Sequence, residues 1–121
     1  MKNSLEVYYD DNMIYSSNGK WLHPLLQLKT FLDNHDYEIR NILIKDKIIG
    51  RAAALIIIFL GIQRCYGEVV SELAIDVLKK HQINFEYGSI VDHIQCKTED
   101  ILRDEFDAEK AFNMIMARAN K

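Results

Sequence analysis

The sequence has few of the residues that mark the specialised classes of small protein. It holds two cysteines, Cys65 and Cys96, with one proline and five glycines among 121 residues. Two cysteines are too few for the disulfide framework of a small secreted domain. The low proline and glycine content excludes a collagen-like or low-complexity chain. We therefore expect an ordinary globular protein, with residues 1–121 forming a single domain that is long enough for a core.

Neither sign of charge dominates, and no long hydrophobic run is present. Fifteen Lys and Arg stand against 18 Asp and Glu, a net charge of −3, with no basic stripe of the kind that binds nucleic acid. The apolar run Ala52–Ile62 is shorter than the roughly 20 residues that span a bilayer. Residues 1–11 lack the apolar segment of a signal peptide. We expect a cytoplasmic protein with neither a nucleic acid nor a membrane as partner.

What is present is an alternation of short β-rich runs and amphipathic segments. Asp10-Asp11-Asn12 is typical of a hairpin turn, Ser71 of a helix N-cap, and Gly61 of a helix end. The predicted elements are the strands SLEVYY and NMIYSS, the helix WLHPLLQLKTFLDNH, the strand EIRNILIKD, the helix Gly50–Gly61, the strand QRCYGEVV, the helix SELAIDVLKKHQ, the strand INFEYGSIV and the helix DAEKAFNMIMARAN. This order predicts an α/β fold whose mostly parallel sheet carries an antiparallel N-terminal hairpin. Right-handed connections place the second and third helices on one face.

Candidate ligand-binding residues stand where two predicted strands lead into helices. The carboxyl-end rim of an open α/β sheet is where ligands bind, and free N–H groups of a helix start attract anions. The candidates are Asp46, Lys47, Gly50, Arg51, Glu68, Ser71 and Glu72. The plain structural alternatives are that Asp46, Lys47, Gly50 and Arg51 form a strand-to-helix turn, that Ser71 and Glu72 cap a helix, and that Glu68 pairs with Arg51 or Lys47.

Catalytic candidates are weaker. Cys96 stands three residues after His93 and three before Glu99, which permits a thiol nucleophile if the side chains meet. An incidental loop thiol is the simpler interpretation. Glu68 interrupts an apolar strand and is the second candidate.

Several of these segments together resemble a small uncharacterised prokaryotic family of the cytidine-deaminase-like superfamily. They are DKIIGRAAALIIIFLGI, CYGEVVSELAIDVLKKHQINFEY and QCKTED. The resemblance implies a cytidine-deaminase-like, three-layer α/β/α sandwich with a mixed five-stranded sheet. Zinc deaminases carry His or Cys ligands at two helix starts, where this chain reads IIGRAAA and VVSELAI. We therefore expect no metal ligands, no cofactor and no zinc-dependent deamination.

Three hypotheses for the function follow. The preferred one is a deaminase-like domain that binds a nucleotide or similar small metabolite without deaminating it. The second is a metal-independent enzyme that uses Cys96 or the Glu68 and Glu72 carboxylates. The third is a structural homodimer formed through the aromatic hairpin and the long apolar helix.

Overall fold

The computed structural model describes residues 1–120, in which a five-stranded mixed sheet is covered by helices. The strands are β1 (Leu5–Tyr9), β2 (Asn12–Ser17), β3 (Ile42–Ile49), β4 (Arg64–Ser71) and β5 (Asn84–Val91). The helices are α1 (His23–Asp33), α2 (Arg51–Phe59), α3 (Glu72–Lys80), α4 (Lys97–Ile101) and α5 (Ala108–Ala119). The predicted alternation is confirmed, and the short helix α4 is an addition to it.

The strand order in the sheet is β2-β1-β3-β4-β5. Strand β1 pairs antiparallel with both β2 and β3, whereas β3, β4 and β5 run parallel to one another. The α/β class, the mixed five-stranded sheet and the N-terminal antiparallel hairpin are therefore confirmed. Gly61 ends the α2 region with a φ of +82°, a conformation in which glycine has no Cβ penalty.

Strand β3 departs from the prediction at both of its ends. Residues Ile39–Asn41 form a short 3-10 helix before it. The strand then continues past Asp46, where the sequence indicated its end, through Lys47 to Ile49. The Lys47 N–H donates to the Ser4 carbonyl at 3.1 Å, and Ile49 pairs with Val70 of β4. Hydrogen bonds to the β1 side and to β4 therefore extend the strand beyond the charged pair Asp46-Lys47.

The helices cover one face of the sheet. Right-handed connections bring α1, α2 and α3 to the same face, and α2 contacts both of its neighbours. Helix α5 packs outside α2, where the rings of Phe59 and Phe112 stack at 4.2 Å between centroids. Within residues 1–120 no helix lies on the opposite face, where Tyr8 and Lys45 are partly exposed. The helices therefore pack on the sheet and on one another.

Helix α2 is the centre of the core. Seven of its nine residues, Arg51–Ile57, are buried, because the sheet, α1, α3 and α5 surround it. A helix that is apolar nearly all round requires this cover. Most of the apolar surface of α2 is therefore used within the chain.

Asp46 places a partly buried acid at the border of this core. Its side chain lies on the helix-covered side of β3, beside Gly67 of β4, and its Oδ1 accepts from the Ile48 N–H at 3.3 Å. Burial raises the pKa of the Asp46 carboxyl to about 7. Burial, with a smaller contribution from Asp46, also raises the pKa of the Cys65 thiol to about 12.

Asp46 makes the stability depend on pH. A folded-state pKa above the ordinary value of 3.8 means that the acid's contribution is fully present below about pH 4 and is lost as the pH rises through about 7. We expect Asp46→Asn to become more stable than the wild type across this range, by up to about 4 kcal/mol at pH 8. Urea unfolding between pH 4 and pH 8 measures the difference. Asp36→Asn, at an exposed aspartate, is the matched control, and parallel curves for Asp46→Asn and wild type would contradict the account.

Candidate functional site

The start of helix α2 is capped by a side chain from a distant part of the chain. Gly50 occupies the N-cap position and has no side chain to offer. Glu99, from α4, fills that role: its Oε2 accepts from the Arg51 N–H at 2.9 Å. A Cβ on residue 50 would overlap this carboxylate oxygen. Glycine at position 50 therefore makes room for Glu99, since the φ of −90° by itself suits any residue.

The Arg51 side chain is completely buried and points away from this cap. Its Nε and Nη2 both donate to the Glu105 carbonyl, at 3.1 and 2.7 Å. Its Nη1 donates to the Leu73 carbonyl at 3.0 Å and to Asp76 Oδ2 at 3.2 Å. The guanidinium also lies over the Phe106 ring, 4.5 Å from its centroid. Arg51 thus joins α2 to α3 and to the segment between α4 and α5.

Glu99 is only 1% exposed, and half of its carboxylate is unpaired. While Oε2 binds the Arg51 N–H, Oε1 has no hydrogen-bond partner within residues 1–120. Such a buried, unpaired polar atom is costly and calls for an explanation.

Glu99 lines a cavity of about 260 Å³. The cavity lies between the residues that precede α1 and the first turn of α2. Its walls are mostly apolar and are formed by Trp21, Leu22, Ile48, Gly50, Ala52, Ala53, Ile94, Cys96, Thr98 and Glu99. Glu99 is the one charged residue in this described lining. A small, largely apolar cavity with one placed polar group is the usual form of a ligand site.

Trp21 stands at the mouth of the cavity in an unusual conformation. Its φ is +57°, which is rare for a bulky residue, and its side chain is 42% exposed. Ile48, also at the mouth, is 52% exposed. Local sequence pattern did not indicate either residue as part of a cavity, because their positions depend on how the starts of α1 and α2 meet.

Two of the sequence candidates reach this cavity, and a third lies next to it. Gly50 and Cys96 line the cavity, and Arg51 supplies the N–H that holds Glu99. The Cys96 Sγ lies 2.8 Å from Thr98 Oγ1. His93, proposed as a partner for the thiol, lies elsewhere in an open groove beside α3.

The remaining candidates lie outside the cavity lining. Asp46 faces the core and Lys47 belongs to β3. Glu68 pairs with the Met1 amino group, not with Arg51 or Lys47. The Ser71 Oγ accepts from the Ala74 N–H at 3.0 Å as the N-cap of α3, and Glu72 follows it in the first helical turn.

The residues at the cavity do not suit a zinc ion. Gly50, Ala52 and Ala53 have no ligating atoms at the start of α2, which leaves one thiol and one carboxylate in the lining. Residues 1–120 contain no group of three or more His, Cys, Asp or Glu side chains placed to hold a metal. A protein zinc site needs at least three such ligands.

A second concavity, of about 420 Å³, lies on the open face of the sheet. Leu43, Lys45, Arg64, Cys65, Tyr66, Asn84 and Glu86 line it. Its charges are mixed, and none of its lining atoms is a buried, unpaired polar group in the described chain. The Glu99 cavity is therefore the stronger candidate.

Fold and cavity together define an α/β protein with a small site at the start of its central helix. Residues 2–116 match the family model TM1506, domain of unknown function (DUF1893), and the chain belongs to this family. It also matches the crystal structure of TM1506, a DUF1893 family protein from Thermotoga maritima. The TM-score is 0.84 with 21% identity, over 95% of this chain and 80% of that one. No curated protein matches. Within residues 1–120, no helix is both long and apolar enough to cross a membrane.

The contact between Gly50 and Glu99 can be tested by a double-mutant cycle. We expect Gly50→Ala to lower the free energy of unfolding by about 2 kcal/mol, because the added methyl displaces the carboxylate. In a Glu99→Ala background the same substitution should cost at least about 1 kcal/mol less. Denaturant unfolding of the four proteins gives the coupling energy. Purely additive effects would show that Gly50 is needed for a reason other than Glu99.

Proposed function

We propose that this protein binds a small nucleobase-like or nucleotide-like metabolite in the Glu99 cavity, without zinc-dependent deamination. The observation that carries the proposal is the buried Glu99 carboxylate, whose Oε1 has no hydrogen-bond partner within residues 1–120 and whose residue belongs to the lining of the cavity. A bound molecule with a hydrogen-bond donor would satisfy this oxygen and remove the cost of burying it.

The size of the cavity limits what it can enclose. Its 260 Å³ lies just below the roughly 300–1,000 Å³ of drug-sized ligand pockets. A single heterocycle fits this volume better than a whole nucleotide does. The exposed Trp21 and Ile48 at the mouth leave room for a sugar or phosphate to extend into solvent.

The resemblance to the cytidine-deaminase-like superfamily supports a base-like ligand as well. Working members of that superfamily hold a flipped base beside a metal-activated water. Residues 1–120 contain no group of three zinc ligands, so we propose binding of a base without zinc chemistry.

A metal-independent enzyme is the second candidate. Cys96 and Glu99 line the same cavity, so a thiol and a carboxylate would both face a bound molecule. Glu68 and Glu72, the other carboxylates considered for this chemistry, lie outside the cavity lining. A homodimer formed through the aromatic hairpin is a third candidate. Most of the apolar surface of α2, the other surface considered for it, is buried within the chain.

The chain carries its own probe of the cavity. Trp21 is the single tryptophan in the sequence and lines the cavity mouth. We expect at least one compound from a panel of bases, nucleosides and nucleotides to change its fluorescence in a saturable manner. The same compound, at ten times its Kd, should raise Tm by about 6 °C.

Two matched variants locate the binding. Ile48→Arg narrows the mouth and should abolish both signals. Ile90→Arg changes an isoleucine that is 42% exposed on β5, outside the cavity lining, and should leave both intact. A folded wild type that responds to no compound, or equal binding by the two variants, would contradict the proposal.

A further inference from the structure

We infer that the cavity selects ligands that donate N–H groups to Glu99 and rejects anions at its inner end. The inference rests on the proposed function and adds the class of ligand: planar, neutral or cationic molecules with an amidine, amide or amino-heterocycle edge. It reverses the expectation that the start of this helix would attract an anionic group.

The first step is that the start of α2 already holds an anion. A helix N-terminus is equivalent to about half a positive charge. The Glu99 carboxylate contributes a full negative charge at 2.9 Å from the Arg51 nitrogen. The local sum is negative, so a phosphate or carboxylate would meet repulsion in a site with little water.

The second step is that no cationic residue belongs to the described lining of the cavity. The Arg51 guanidinium uses its donors on Glu105, Leu73 and Asp76, away from the cavity. Lys47 is outside the lining, and Glu99 is the single charged residue among the ten described lining residues. An anionic ligand would therefore have no counter-charge at the inner end.

The third step concerns the free oxygen. Glu99 Oε1 can only accept, since a carboxylate has no donor, and no protein donor within residues 1–120 reaches it. Oε1 is itself fully buried, so a ligand N–H, the complementary group, reaches it only if the neighbouring side chains shift. The apolar walls, among them Leu22, Ala53 and Ile94, and the Trp21 ring at the mouth favour a flat body behind that donor edge.

Three probes of nearly the same shape separate donor from acceptor recognition. Protonated benzamidine offers two NH₂ donor groups and a positive charge, benzamide offers one NH₂ donor group and one carbonyl acceptor, and benzoate offers only acceptors and a negative charge. Titration of each against Trp21 fluorescence should give benzamidine a Kd at least about tenfold below that of benzoate, with benzamide between them.

Glu99→Gln tests the residue itself. Its Oε1 can still accept from the Arg51 N–H, so the cap persists, whereas its NH₂ now donates into the cavity. We expect benzamidine affinity to fall about tenfold and benzoate affinity to rise relative to wild type. Ile90→Arg should bind the three probes with the same order of affinities as the wild type. Circular dichroism and Tm establish that the variant is folded, and if it is not, the order of the three probes on wild-type protein decides alone.

The outcomes distinguish the two claims. Benzoate binding as tightly as benzamidine, abolished by Ile48→Arg, would overturn the donor rule and leave the cavity as a binding site. Benzamidine affinity unchanged in folded Glu99→Gln would do the same. If none of the three probes binds, the donor rule is wrong, and if the base and nucleotide panel also gives no response, the proposed function falls with it.

Discussion

The hydrogen bonds of the buried residue Arg51 hold together the elements around the cavity. Its backbone N–H donates to the Glu99 carboxylate from α4, and its side chain donates to the carbonyls of Leu73 and Glu105. A single residue therefore fixes α2 relative to α3, to α4 and to the segment before α5. Removing one partner of a buried charged network typically costs about 3–5 kcal/mol, so this arrangement constrains both the stability and the shape of the cavity.

The same interaction sets the chemistry of the sheet rim. Parallel strands that lead into helices usually leave free N–H groups, which suit phosphates and other anions. Here the Glu99 carboxylate accepts from the Arg51 N–H, so an acidic side chain of the chain itself stands where an anionic ligand would otherwise bind. The match to the TM1506 structure, at 21% identity, supports the fold alone.

Much of the fold was predictable from the sequence, and the site was predictable only in part. The spacing of apolar residues and the turn-forming residues indicated the strands, the hairpin and the helix from Gly50, because these features depend on local sequence pattern. The end of β3 and the short helix α4 were missed, since pairing with β1 and β4 and the Glu99 contact are long-range. Glu99 itself was singled out only as a neighbour of Cys96. Its role could not be read from spacing, because its partner is 48 residues away.

Hydrogen exchange at the Arg51 amide tests the central claim most directly. The first N–H of a helix normally has no partner and exchanges quickly. Because the Arg51 N–H is buried and bound to Glu99, its exchange should be slowed to within about tenfold of the slowest amides of α2, near the limit set by global unfolding. In Glu99→Ala the protection should be lost while the later amides of α2 keep theirs. Exchange of the wild-type Arg51 amide near the rate of an unstructured peptide would contradict the account.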